Sequence, residues 1–421
     1  MNVPILFPEI LLPADSVPMD TWPVIACDQF TADESYWRQV EDLVGSRPST
    51  LRLILPEIYL ERADQPHREA AVRAEMRRYL DDGVFQVEPH TAVFVRRRLQ
   101  DGTVRRGVVV AVDLEEYEFD PAQQSIIRAS EETIPERLPP RAAIREQAPI
   151  ESPHVLVLYD DREDAIIQHI EAERDSLRCL YDTPLMLGGG SIEGYAIPEH
   201  STVAADLLSG LSALPTYTDY GYLLATGDGN HSLAAAKTVW TKKKAAGAAL
   251  DDPFRYCLVE LVNVYDDGLP FHPIHRLVEG DETAILDSFL HNSDARFHGF
   301  QRSDLIDHLN RETLSANEIA LIGPAHAGLL SLPGDTALAV AVAEDAITRA
   351  RPDSVDYIHG LAEVVSAAEE RGAVAIILPE LDRSSLFPTV AKKGTLPRKA
   401  FSLGEARDKR YYLECRQLSA R

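Results

Sequence analysis

The segment Tyr222-Leu-Leu-Ala-Thr-Gly-Asp-Gly-Asn-His-Ser-Leu-Ala-Ala-Ala-Lys237 opens as an apolar, strand-like run, breaks at Gly227-Asp228-Gly229 and resumes as an alanine-rich helix. Asp228, Asn230, His231 and Ser232, all able to handle phosphate or protons, fall in the joint. Strand-to-helix joints hold anions because the first N–H groups of a helix lack internal partners and its dipole favours negative charge there. The joint therefore predicts an α/β protein with a site at this point. Asp228, flanked by glycines that let backbone approach a ligand, suits a Mg²⁺ ligand or a base for a hydroxyl nucleophile. His231 suits proton transfer or phosphate donation. The competing reading is that Asp228 and Ser232 merely cap the helix and turn.

Strands and helices interleave on both sides of the joint. Residues 23–28 read as a buried strand, 31–37 as the capped start of a helix, 51–56 as a second strand and 66–80 as a charged amphipathic helix. Thr91–Arg96 and Gly107–Asp113 read as strands joined by a hairpin at Asp101-Gly102. Residues 121–150 lack a clean period and read as a long loop or linker. A strand over 155–159, a helix over 165–180 and a turn at Gly188-Gly-Gly190 follow. Beyond the joint, 256–265 and 271–276 read as strands, 284–291 and 303–309 as helices, and 337–342 as an alternating strand. The expected class is mixed α/β (α+β). A boundary near 280 divides a larger domain, 1–280, with an insertion around 90–200, from a smaller α/β domain, 281–421.

With 421 residues the chain is too long for one ordinary core. Hydrophobic residues at 45% and charged ones at 26% match a globular protein rather than a disordered one. The formal charge of -25 repels phosphate backbones and anionic lipid, so neither nucleic acid nor membrane is an expected partner. The four cysteines form no Cys-x-x-Cys pair, which favours reduced thiols over zinc or disulfides. No secretory leader pattern and no bilayer-length apolar run is present, and the expected compartment is the cytoplasm.

Two other segments bear on chemistry. Pro273-Ile-His275-Arg276 sets an imidazole beside a guanidinium, which suits phosphate or carboxylate recognition or, equally, a loop anchor. Lys392-Lys-Gly-Thr-Leu-Pro-Arg-Lys399 is a basic turn able to neutralise nucleotide phosphates, or simply a solvated loop. The dinucleotide fingerprint, the Walker pattern and the Gly-x-Ser-x-Gly elbow are absent, and His272 and His275 have no third metal ligand nearby.

The chain resembles domain of unknown function family 1015, in a subgroup with Gly-Asp-Gly-Asn-His-Ser where most members have Asp-Gly-His-His-Arg. The likeness runs through Gly107 to Tyr117, Glu131 with Thr133, Arg141, Ser152-Pro153, Gly227 to Lys237, Pro273 to Arg276, Asp356 to His359 and Leu396 to Lys399. That family signature is similar to the Asp-Gly-His-Thr-Arg motif of free-serine kinases in the ParB/sulfiredoxin superfamily, which use a nucleotide to phosphorylate serine. The resemblance implies a ParB/sulfiredoxin-like core with insertions, ATP or ADP with Mg²⁺ as cofactors, and a small hydroxyl-bearing substrate such as serine. It implies Asp228 beside the acceptor hydroxyl and Mg²⁺, Gly229 as the close backbone approach, and Asn230 and His231 on phosphate. Ser232 stands where both families have Arg, Asn230 where they have His, and Ser130 where the family has His before Glu131.

The missing guanidinium calls for a substitute from Lys237, Arg276, Arg141 or Lys399. Asp28 and Glu57, at strand ends, are candidates to orient the acceptor. The expected phosphate- or nucleotide-binding set is thus Gly227, Gly229, Asn230, Ser232, Arg141, His275, Arg276 and Lys399, the last on a basic turn that completes the site. The expected catalytic set is Asp228, His231, Glu57 and Asp28. The leading expectation is a nucleotide-dependent small-molecule kinase. The alternatives are a non-catalytic nucleotide- or amino-acid-binding regulatory protein and a Mg²⁺-dependent phosphatase. Monomer and homodimer both stay open.

Overall fold

The structure is a computed structural model that describes residues 3–60, 62–292, 295–333 and 338–418. It is a mixed α/β protein that divides into two compact units, Met1–Leu269 with Gly404–Arg421, and Pro270–Leu403. The expected boundary at 280 lies after the strand Phe271–Glu279, whereas the chain divides before it. That strand pairs with Ser354–His359 and Val374–Ile377 and so begins the second unit. The chain's last segment, expected in the second domain, is built into the first. There Tyr411-Tyr412 pairs with Val24-Ile25, and Arg416-Gln417 with Ile150-Glu151.

Among its described residues the first unit has a ten-stranded mixed sheet. Its order is Cys179–Pro184, Ser191–Pro198, Thr91–Arg98, Val104–Asp113, Tyr256–Asn263, Leu156–Tyr159, Leu224–Asp228, Ile127-Arg128 and Tyr117-Glu118, with Ile5-Leu6 paired on Val104–Asp113. The hairpin expected at Asp101-Gly102 joins antiparallel neighbours. The run Val108-Val-Val-Ala-Val112 is apolar at every position because its strand is covered on both faces. Val108, Val110 and Val112 enter one hydrophobic cluster with Leu233, Ala236 and Trp240 of the helix after the joint. Val109 enters the other, with Trp22, Trp37 and Tyr79 from the N-terminal segment. The second unit carries a seven-stranded antiparallel sheet among its described residues, with Phe271–Glu279 between Val374–Ile377 and Ser354–His359.

Several local expectations are corrected. Thr50–Leu53 is a 3-10 turn rather than a strand, because the Ser49 hydroxyl accepts from Leu51 N–H and closes it. Residues 121–150, read as a loop or linker, contain a short strand, Ile127-Arg128, and the helix Leu138–Glu146. Its prolines sit in the first turn, where a missing N–H costs nothing. The helix expected over 165–180 ends at Ala172, and the chain re-enters the sheet at Cys179. The strand expected over 337–342 is the start of the helix Ala339–Ala350, while Ala337 lies outside the described residues. Small alanines alternating with valine satisfy either period.

Candidate functional site

The joint forms as the sequence predicts. Leu224–Asp228 is a strand, and Asn230–Ala245 is a helix closed by Lys242, Lys243 and Lys244 in its last turn, where cations suit the dipole. The strand pairs Leu156 with Asp228 but Val157 with Thr226, leaving Gly227 as a bulge that re-aims Asp228. Gly229 is the N-cap at φ 76°, and a Cβ there would lie 3.0 Å from Val155 Cγ2. The N-cap residue Gly229 has no side chain with which to cap the helix. Asp228 Oδ1 instead accepts the Gly229 N–H at 2.9 Å, and the Ser232 hydroxyl lies 2.9 Å from His154 Nε2.

The cation at the joint is Lys409, which the sequence alone does not single out. Its Nζ lies 3.3 Å from Asp228 Oδ2, with the lysine side chain 9% exposed and the carboxylate 26%. Burial opposes ionisation of Asp28, yet the His154 ring, the Gln29 amide and Lys409 outweigh it and hold its carboxyl below the usual range. Lys409 is thus ion-paired with Asp228, and its charge is also felt by Asp28. Burial, reinforced by Asp28, pushes the neighbouring Cys27 thiol up to about 12, so it is inert as a nucleophile.

A buried ion network positions Lys409. Arg410 pairs with Glu260 and Glu414 and donates from Nε to the Pro153 carbonyl at 3.2 Å. Arg105 donates to the Asp408 carbonyl at 2.7 Å and Arg97 to the Arg407 carbonyl at 3.1 Å. Two residues beyond Arg410, Tyr412 Oη lies 3.0 Å from His154 Nδ1 and accepts the Cys27 N–H at 3.2 Å. His154, Lys409 and Tyr412 are the residues that sequence reasoning missed. His154 directly follows the Ser152-Pro153 pair on which the family resemblance partly rests.

The other first-unit candidates are tied to the same region. Glu57 forms an ion pair with Arg141, and its N–H donates to the Cys27 carbonyl at 2.8 Å. The Asn230 side chain accepts from the Thr226 hydroxyl, which itself accepts the Ser130 N–H at 3.1 Å. His231 Nε2 accepts the Ile134 N–H at 3.2 Å, so its ring braces the 131–137 segment. Lys237, a candidate for the missing guanidinium, donates instead to the Leu114 carbonyl at 2.8 Å.

His275, Arg276 and Lys399 belong to the second unit. Arg276 is fully buried, donates from Nε to Glu344 at 2.6 Å, stacks 4.6 Å above the Tyr357 ring and reaches the Arg398 carbonyl at 3.4 Å. This is the loop-anchor role, not an open anion clamp. His275 Nδ1 accepts the Leu378 N–H at 3.2 Å, and burial beside Arg276 and His359 pushes its pKa down to about 4. Lys399 is exposed at φ 56°. Among the described residues no group of three or more His, Cys, Asp or Glu side chains could hold a metal ion, and no helix is long and apolar enough to cross a membrane.

Fold and site together define a mixed α/β protein with a polar strand-to-helix joint. The chain belongs to the protein of unknown function family DUF1015, whose model matches residues 7–379. Among solved structures, 72% of the chain is similar to 90% of a conserved hypothetical protein from Pyrococcus furiosus, at 12% identity and a TM-score of 0.35. A free serine kinase in complex with AMP is matched over 74% of this chain and 92% of that one, at 10% identity and a TM-score of 0.38. C-terminally truncated SbnI from Staphylococcus aureus is matched over 70% and 82%, at 10% identity and a TM-score of 0.37. No curated protein matches the chain.

Proposed function

We propose that this protein is a nucleotide-dependent phosphotransferase acting on the hydroxyl of a small metabolite. The observation that carries the reading is Lys409, which pairs with Asp228 and whose charge reaches Asp28, at a helix start with no side-chain cap. Phosphoryl transfer needs charge neutralisation and positioning far more than covalent help from protein. Lys409 and the first-turn N–H groups would hold phosphate oxygens. Asp228 would take the acceptor's proton as its oxygen bonds to phosphorus and the phosphorus–oxygen bond to the nucleotide breaks. The nucleotide leaves one phosphate shorter. Asp28, kept ionised, would orient the acceptor or share Lys409.

The donor set offers Mg²⁺ one or two carboxylates and no cage, which fits an ion held mainly by nucleotide phosphates. Bound there, it would offset phosphate charge. The proposal includes a cytoplasmic setting, in keeping with four free cysteines. A second reading, a nucleotide-binding regulator, is favoured by the Lys409–Asp228 pair itself, since the ammonium group occupies the carboxylate that would take the acceptor's proton.

The test is incubation with ATP or ADP, Mg²⁺ and a panel of hydroxyl-bearing amino acids and alcohols. A phosphorylated acceptor whose formation requires Asp228 supports the kinase. Nucleotide binding without turnover supports the regulator, and phosphate release with no acceptor product supports a phosphatase.

A further inference from the structure

An open pocket of 170 Å³ is lined by residues of the first unit, against the Ser232 side of the Asn230–Ala245 helix. Its wall is largely apolar, with Leu53, Ile54, Met76, Ile144, Ile150 and Ala235 among its residues. Each carboxylate on the wall is matched by a guanidinium on the wall, Glu57 by Arg141 and Glu151 by Arg145. The lining therefore asks for no net charge in its occupant.

One part of the wall is polar in a directed way. The Tyr412 oxygen accepts the Cys27 N–H at 3.2 Å and lies 3.0 Å from His154 Nδ1. The other ring nitrogen, Nε2, lies 2.9 Å from the Ser232 hydroxyl, so a hydrogen-bond chain runs from Cys27 to Ser232. The Ser232 hydroxyl, with His154 as one partner, keeps the capacity for a second hydrogen bond to whatever fills the cavity, whose wall includes both residues.

We infer that this cavity takes a small neutral alcohol with a compact apolar body, its oxygen held by Ser232. A dry cavity of about 150 Å³ accommodates a benzene ring, which sets the size of that body. Free serine would leave the apolar wall unfilled and bury two charges without partners. That this alcohol is the phosphoryl acceptor rests on the function proposed above. The hydrogen-bond chain supports it, because it ties the cavity's polar end to Cys27, next to Asp28, and to Ser232, in the first turn of the helix that follows Asp228.

The experiment is ligand-observed NMR on the full chain without nucleotide, using benzyl alcohol and L-serine as probes. Benzyl alcohol is expected to bind at least about tenfold more tightly than L-serine, since an apolar pocket rewards each buried carbon. Ile144→Trp, which fills the cavity from a half-buried helix position, abolishes that binding. Ser232→Ala weakens it about fivefold, the worth of one hydrogen bond, and thermal melts confirm that both variants fold. Serine binding as tightly as benzyl alcohol overturns the inference, as does benzyl alcohol binding that either variant leaves unchanged. Adding ATP or ADP with Mg²⁺ separates the two claims. Bound benzyl alcohol with no phosphorylated product upholds the pocket and removes the kinase. Phosphorylated serine with no benzyl alcohol binding does the reverse.

Discussion

Lys409 and Asp228 form the pair on which the site turns, and neither residue alone explains it. A single lysine is a point charge with three donors, able to serve a carboxylate and a phosphate oxygen at once. On the proposed function it would supply the cation expected where the resembling families have Arg and this chain has Ser232. Removing it leaves the Asp228 carboxylate without its ammonium partner. Lys409→Met is therefore expected to weaken nucleotide binding by about ten- to a hundredfold, the worth of one charged hydrogen bond. Lys409→Arg should recover part of that loss. Calorimetric titration with ADP reads both, and unchanged affinity in the methionine variant would remove Lys409 from the phosphate site.

At the scale of elements, the joint works because Gly229 turns the chain where no side chain fits. Gly229→Ala is expected to cost about 1–2 kcal/mol from its left-handed backbone alone, read as a lowered thermal midpoint, with further loss from contact with Val155. The strand Phe271–Glu279 carries a pH-sensitive element in His275, whose pKa falls from 6.5 to about 4 on folding. A depressed histidine pKa means that the unfolded chain binds the extra proton. Its contribution is therefore complete above pH 6.5 and is lost as pH falls toward 4. The full effect is about 3 kcal/mol. Melts of wild type and His275→Phe across that window should diverge, with the wild type losing more stability on acidification.

The strand-to-helix joint was legible in sequence because the apolar period changes from two to three-and-four across a glycine-flanked aspartate. The helix Leu138–Glu146 was not, because its prolines and arginines hide the period that its burial imposes. Asp28, Glu57 and Ser232 were legible as polar residues at element ends and Arg141 only through the family resemblance, and all four fall in the region around Cys27 and His154. Lys409 was not legible, since only a chain return after the second unit brings it to Asp228. His154 was a lone histidine before a strand, with no spacing to mark it.

On the scale of the whole molecule, the first unit is discontinuous and is completed by the chain's last segment. That segment brings Lys409 and Tyr412 to the site, and Arg410 into a buried network with Glu260 and Glu414. Ending the chain after Leu403 would strip Glu260 of its Arg410 guanidinium and leave it the more distant Arg105, at 3.8 Å; breaking a buried pair costs about 3–5 kcal/mol. The truncated protein is expected to lose cooperative unfolding of the first unit while the sheet built on Phe271–Glu279 persists, as hydrogen exchange would show. Equal protection of the first unit in both forms would mean that the returning segment is dispensable. The most direct test of the phosphotransfer account is single-turnover transfer of labelled phosphate from ATP or ADP, with Mg²⁺, to a panel of small hydroxyl compounds, comparing wild type with Asp228→Asn. The account predicts a labelled acceptor from the wild type and a rate reduced by about 10²–10⁴ in the variant, with nucleotide still bound. Labelled acceptor formed at equal rates by both proteins, or by neither, would contradict it.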